Sequence, residues 1–242
     1  MTFGTRALPE STLPHAMLSA LLLAVSDLAA PPLRRVVALS LAITVASFIA
    51  VWLAAALGLS RITLFGWQTL NDLMEILGTL AVLLLSWLLF PAVATLVMGF
   101  FLDRVAAAVE QLHYPNRGPA RLASITETIV TTLRLMAITI ILNLLALPVY
   151  VLVPGVNFFV FLGLNGYLFG REYFEVVAAR RLEPTAARAL RKRFAGRVFG
   201  GGVVIAGLFA VPIVNLAAPV IATAFMVHLL QRLQPGRLMS PA

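Results

Sequence analysis

Two adjacent arginines stand directly before a long apolar segment, in the stretch PPLRR at residues 31–35. Proline is favoured at the first position of a helix, so a helix that begins near Pro32 leaves the amides of Leu33, Arg34 and Arg35 among its unpaired N-terminal donors. Those donors and the helix dipole attract an anion. Guanidinium groups add planar, permanently charged donors that match oxyanion geometry. The pattern therefore indicates a candidate site for a tetrahedral dianion.

A second interpretation of Arg34 and Arg35 stays open at this point. Arginines that flank a membrane helix also mark its cytoplasmic end and extend toward lipid phosphates, and on residue types alone this is the commoner role. However, the positive end of the helix dipole gives an arginine no stabilisation, which favours the ligand interpretation.

The composition is that of an integral membrane protein. Of the 242 residues, 61% are hydrophobic and 12% are charged, with a mean hydropathy of +0.97; this excludes an ordinary soluble domain. A net charge of +8 is explained by the membrane, so we expect no nucleic-acid partner. Because cysteine is absent, disulfides and thiolate chemistry are excluded. The N-terminal sequence does not resemble a cleaved signal peptide.

Four charge-free apolar stretches predict the membrane helices, at residues 36–59, 76–102, 135–170 and 198–231. As helices the first two extend roughly 36 and 40 Å, enough to cross a hydrocarbon core of about 30 Å. Prolines at 148 and 154 interrupt the third stretch, and prolines at 212 and 219 interrupt the fourth. Because proline breaks a helix interior, each of these two stretches predicts a helical hairpin.

Short arms favour partial insertion of both hairpins. The arms predicted from the prolines are about 20 Å long, less than the membrane core, so both hairpins are expected to enter the membrane and return to the same side. The alternative is that flanking residues lengthen each arm into a full, tilted span. The predicted fold is thus an all-α integral membrane protein, with one membrane domain over residues 1–242, two long transmembrane helices and two proline-broken hairpins.

The distribution of arginine predicts the orientation. Residues 171–197 carry eight basic side chains, whereas residues 60–75 carry one arginine against two acidic residues. The positive-inside rule therefore places the basic segment 171–197 and both termini in the cytoplasm.

Other candidate groups are few. His15, His113 and His228 lie in separate segments without metal-ligand spacing, so the sequence predicts no metal site, no cofactor and no enzyme active site. Asn157 and Asn215 follow the hairpin prolines. They are candidate pore-lining residues, or caps of the returning helices.

Four motifs, in this order along the chain, carry a resemblance to a known family. They are the PPLRR stretch, "FFLDRV" at residues 100–105, "NGYLFGREY" at 165–173 and "VPIVNLAAPV" at 211–220. Together they resemble the CysZ sulfate permease family, which is related to the etoposide-induced membrane proteins.

The resemblance implies an oligomeric protein of the bacterial inner membrane that passes sulfate for cysteine synthesis without hydrolysing ATP. It implies sulfate binding by Leu33, Arg34 and Arg35, although Pro32 stands where the family usually has glycine. The distant eukaryotic relatives suggest an alternative, a membrane scaffold or quality-control protein without transport activity.

Overall fold

Helices make up the regular structure of the described residues. The computed structural model describes residues 13–59, 76–84, 86, 90, 93, 97–116, 118–121 and 123–233, with no strand among them. The labelled helices are α1 (Leu13–Asp27), α2 (Pro31–Leu59), α3 (Leu102–His113), α4 (Ile125–Leu152), α5 (Asn157–Ala179), α6 (Pro184–Arg193), α7 (Ala195–Ala210) and α8 (Ala218–Leu233). Residues 76–84 are also helical. The predicted all-α membrane fold is confirmed.

Two described helices, α2 and α4, are long and apolar enough to cross a membrane. α2 has 29 residues and α4 has 28, so each exceeds about 40 Å, against a membrane core of about 30 Å. The most apolar part of α4 is unburied by the rest of the chain, and that of α2 is 11% buried. Their outward faces therefore suit lipid. The predicted span 76–102 lies largely outside the described residues.

The first hairpin has longer arms than its prolines predicted. α4 continues through Pro148 to Leu152, and the chain turns in a single 3₁₀ turn, Pro154–Val156. The expectation that Pro148 ends the first arm is wrong, because a membrane helix can continue through a proline that removes a single backbone hydrogen bond. Ser124 caps the other end by accepting a hydrogen bond from the Glu127 amide (3.1 Å). Arms of 28 and 23 residues no longer support partial insertion by length.

The second hairpin keeps short arms. α7 and α8 have 16 residues each, about 24 Å, which is less than the membrane core. A short helix, Pro212–Asn215, joins them. α6 precedes this hairpin and meets α7 at an angle of 89°.

The protein interior is built around α8. Every residue of α8 except Arg232 is buried, and α1, α3, α5 and α7 pack against it.

A glycine contact joins the two hairpins. α5 and α7 approach so closely at Gly202 that a Cβ there would collide with the carbonyl oxygen of Gly166 and lie 2.5 Å from the amide nitrogen of Gly170. Such small residues let helix backbones pack tightly in membranes.

Candidate functional site

The two arginines of the candidate anion site stand in the first turn of α2 with free side chains. Leu33 is fully buried and fixes this turn against the protein core, whereas Arg34 and Arg35 are exposed. Among the described residues, neither guanidinium makes a hydrogen bond or an ion pair. The geometry thus offers two adjacent, permanent positive charges at the start of a helix that can cross the membrane.

The backbone contributes less to this site than the sequence predicted. Pro31 and Pro32 have no amide hydrogen, and the Arg34 amide donates to the Ala30 carbonyl oxygen at 3.0 Å. The predicted role of the Arg34 amide as a free donor is therefore wrong. Leu33 is the residue of this turn whose amide stays outside the helical ladder.

Two arginines that follow α5 are paired with a buried carboxylate. Glu110, which is 4% exposed, accepts hydrogen bonds from Arg180 (Nη2 to Oε2, 3.2 Å) and from Arg181 (Nη2 to Oε2, 2.8 Å; Nε to Oε1, 3.2 Å). Arg181 also donates to the Gly118 carbonyl oxygen. This cluster joins α3 to the end of α5 and borders a cleft of about 370 Å³. Its arginines are held in fixed positions by these contacts.

Arg121 lies between two carboxylates in the same region. Its guanidinium donates to both oxygens of Glu127 (2.7 and 2.5 Å) and to both oxygens of Glu183 (2.6 and 3.0 Å). The hydrogen bond with Glu127 is the main cause of a raised pKa for Arg121. The segment before α4 is thereby tied to the start of α6.

A buried ion pair within α5 borders a second cavity. Arg171 and Glu175 are 3% and 8% exposed, and the Arg171 Nε lies 2.9 Å from Oε1 of Glu175. Their spacing of four residues in the sequence suggests a pair on an exposed helix surface. The burial of both side chains differs from that expectation. Arg191 lies 3.4 Å from the same oxygen, and both arginines line a cavity of about 310 Å³.

The two candidate pore asparagines occupy the hairpin turns. Asn157 is the first residue of α5 and donates its side-chain amide to the Tyr150 carbonyl oxygen at 3.2 Å, while Asn215 ends the short helix before α8. Neither side chain caps the returning helix: the cap position of α5 is Val156, which makes no side-chain bond, and the Asn215 amide oxygen accepts no hydrogen bond. The amide oxygens of Asn157 and Asn215 are buried without a hydrogen-bond partner.

The fold also brings together three residues that sequence spacing did not connect. Asp27 Oδ1 lies 2.7 Å from His113 Nε2, and Asp27 Oδ2 lies 2.9 Å from His228 Nε2. The Tyr114 hydroxyl lies 2.9 Å from His228 Nδ1. His113 and His228 are separated from Asp27 by 86 and 201 positions, so local patterns carried no signal of this cluster.

Comparison with known proteins gives a family match over most of the chain. The family model described as "Sulfate transporter CysZ/Etoposide-induced protein 2.4" matches residues 20–219, from α1 to the start of α8. This range includes the first turn of α2 and the turns of both hairpins. Searches of curated proteins and of solved structures gave no match.

Proposed function

Because the chain belongs to the Sulfate transporter CysZ/Etoposide-induced protein 2.4 family, we propose that it is a permease for sulfate or a related oxyanion. It acts in the bacterial inner membrane, without ATP hydrolysis, and supplies sulfate for cysteine synthesis. The family is of the transporter type, and the two helices that can cross a membrane are compatible with this role.

The observation that carries the proposal is the unpaired state of Arg34 and Arg35. Five other arginines, at positions 121, 171, 180, 181 and 191, have a carboxylate partner. Further arginines such as Arg134 have none among the described residues, and Arg34 and Arg35 differ from these in lying side by side at the start of a helix that can cross the membrane. An incoming dianion competes with no carboxylate of the described residues at this position. Two guanidiniums supply bidentate, charge-assisted hydrogen bonds, each about twice as strong as a neutral one. Leu33 holds the turn in place and its amide offers one further donor.

The pathway itself is proposed to pass the hairpin turns. A buried amide oxygen without a partner is costly, and water in a conduction path would supply the missing hydrogen bonds of Asn157 and Asn215.

The unburied apolar faces of α2 and α4 support contacts with lipid and with further copies of the chain in a homo-oligomer. The basic segment 171–197 faces the cytoplasm in this arrangement, in agreement with the positive-inside rule.

Binding is tested first with the full chain in detergent. Thermal stability is measured against sulfate concentration, with chloride at matched ionic strength. A ligand that binds the folded state raises stability by mass action, so a saturable, sulfate-specific rise is expected. The rise should vanish in the double variant Arg34→Ala/Arg35→Ala. The matched control is Lys192→Ala/Arg193→Ala, which removes two adjacent exposed cations from the C-terminal turn of α6 and should retain the rise.

Transport is tested next with radiolabelled sulfate and liposomes that contain the protein. Uptake is expected for the wild type and for the Lys192/Arg193 control, and it should fall at least roughly 10-fold without Arg34 and Arg35, since each charge-assisted hydrogen bond contributes about 1.5–3 kcal/mol. Equal uptake by the Arg34/Arg35 variant would contradict the site. Absence of both uptake and sulfate-specific stabilisation in the wild type would reject the permease and favour the scaffold alternative.

A further inference from the structure

Two helices end at one point in the protein, and a third passes beside them. Asp27 is the last residue of α1, His113 is the last residue of α3, and His228 lies in the final two turns of α8. The C-terminal end of a helix carries a partial negative charge and attracts cations. The ends of α1 and α3 therefore favour a positive charge at this point.

The side chains at this point are a set of metal ligands. One carboxylate oxygen and two imidazole nitrogens, from Asp27, His113 and His228, all lie within 4.8 Å of one another. Two histidines and a carboxylate are a recurrent donor set for Zn²⁺ and neighbouring divalent transition metals. A metal ion bound between these side chains would hold each ligand atom at about 2.0–2.2 Å.

The burial of these side chains means that a bound cation would stabilise the cluster. Asp27 is 5% exposed and His228 has no exposed surface, and a buried carboxylate needs compensation by positive charge. Asp27 has no arginine or lysine partner among the described residues; its ion-pair partners there are the two histidines.

A second layer of contacts orients the inner ligand. The Tyr114 hydroxyl bonds the Nδ1 of His228 at 2.9 Å, which leaves Nε2 directed at Asp27. Metal-binding histidines are held in this way by a partner on the other ring nitrogen. Gln231 lies three residues after His228, on the same side of α8, and both polar atoms of its amide are buried without a partner. A metal-bound water in the remaining coordination position would satisfy such a group.

From these contacts we propose that Asp27, His113 and His228 bind one divalent transition-metal ion, with Zn²⁺ the best match. The side chain of His113 is 30% exposed, which gives the ion access from the aqueous side. The site differs from the anion site in position and in chemistry, and it does not depend on the proposed transport of sulfate.

A bound ion would also fix the turn that leads to the anion site. The Ala30 amide donates to the Asp27 carbonyl oxygen at 2.8 Å, and the Arg34 amide donates to the Ala30 carbonyl oxygen at 3.0 Å. Continuous hydrogen bonding thus links the metal ligand to the first arginine. The ion would act as a structural clip that holds α1, α3 and α8 together.

The test uses the full chain, purified in detergent and stripped of metal with a chelator. Zn²⁺ is titrated by calorimetry, and bound zinc is counted by mass spectrometry after desalting. Co²⁺, which absorbs visible light when bound by nitrogen and oxygen ligands, reports on the coordination. One equivalent of Zn²⁺ per chain is expected. At a Zn²⁺ concentration of 100 times Kd, the ratio of folded to unfolded protein should rise roughly 100-fold.

Two variants and one control decide the assignment. His113→Gln removes a partly exposed ligand and should weaken Zn²⁺ binding at least roughly 10-fold. Tyr114→Phe removes one hydroxyl and should weaken it by about 10–100-fold through His228. The control is His15→Gln, which removes the remaining histidine of the chain and should bind as the wild type does. No stoichiometric zinc in the wild type would overturn the proposal, and so would equal affinity in all four proteins; the cluster would then be a hydrogen-bonded network alone.

Discussion

The contact between α5 and α7 can be broken by a single methyl group. Gly202→Ala would place a Cβ against the carbonyl oxygen of Gly166 and against the backbone of Gly170. These neighbours are backbone atoms, so rotation of a side chain cannot relieve the overlap. The two helices must separate, or α7 must bend. The matched change is Gly207→Ala on the same helix, where a Cβ meets nothing within 4 Å.

The two variants should change stability in opposite directions. Alanine in a helix interior is favoured over glycine by about 1 kcal/mol, and Gly207→Ala should gain this amount. Gly202→Ala gains the same amount and loses about 3 kcal/mol to overpacking, at the upper end of the usual range because the obstacle is backbone. Its net effect is a loss of about 2 kcal/mol, so the two variants differ by about 3 kcal/mol. For a chain of this length that corresponds to roughly 6–12 °C in Tm.

Thermal unfolding in detergent, followed by circular dichroism, measures this difference. The wild type should lie between the two variants. Equal Tm values for Gly202→Ala and Gly207→Ala would refute the close approach of the helices, since both variants change helix propensity alike. A higher Tm for Gly202→Ala than for the wild type would refute it as well.

Three further sets of substitutions test other contacts. Glu110→Gln leaves two largely buried arginines without their shared charge partner and should cost about 3–5 kcal/mol of unfolding free energy. Glu183→Gln changes a carboxylate that is 64% exposed and should cost less than about 1 kcal/mol. Chemical unfolding compares the two variants, and equal costs would contradict the buried cluster. Ser124→Ala removes the N-cap of α4 and should cost about 1 kcal/mol, measured in the same way, so an unchanged stability would contradict the cap. Asn157→Leu and Asn215→Leu should reduce sulfate uptake into liposomes while sulfate-dependent stabilisation stays as in the wild type; unaltered uptake in both would remove these residues from the pathway.

The sequence predicted the features that depend on local chemistry. Ser124 and Glu127 have the spacing of a capping box, so the cap at Ser124 follows from side-chain preferences that act over a few residues. The turns after residues 153 and 211 follow in the same way from proline preferences. The start of α2 near Pro32 has the same origin. Pro148 shows the limit of this reasoning, because a proline removes one backbone hydrogen bond and a membrane helix can continue through it.

Features that depend on distant partners were not visible in the sequence. The spacing of Arg171 and Glu175 suits an exposed pair equally well, and burial follows only when α6 and α7 cover α5. Asp27, His113 and His228 meet because α1, α3 and α8 pack together, and single-sequence patterns carry no information on that packing. The residues of the candidate anion site were predicted from the sequence, but the lack of a carboxylate partner for its guanidiniums among the described residues became visible only in three dimensions.

The burial of α8 has a consequence for biogenesis. α1 is translated well before the helix against which it packs, as the separation of 201 positions between Asp27 and His228 indicates. Until α8 is made, the faces of α1, α3 and α5 that it covers lack this partner. The core around α8 can therefore form only after most of the chain has been translated, and a chain that stops before residue 218 lacks the helix against which the others pack.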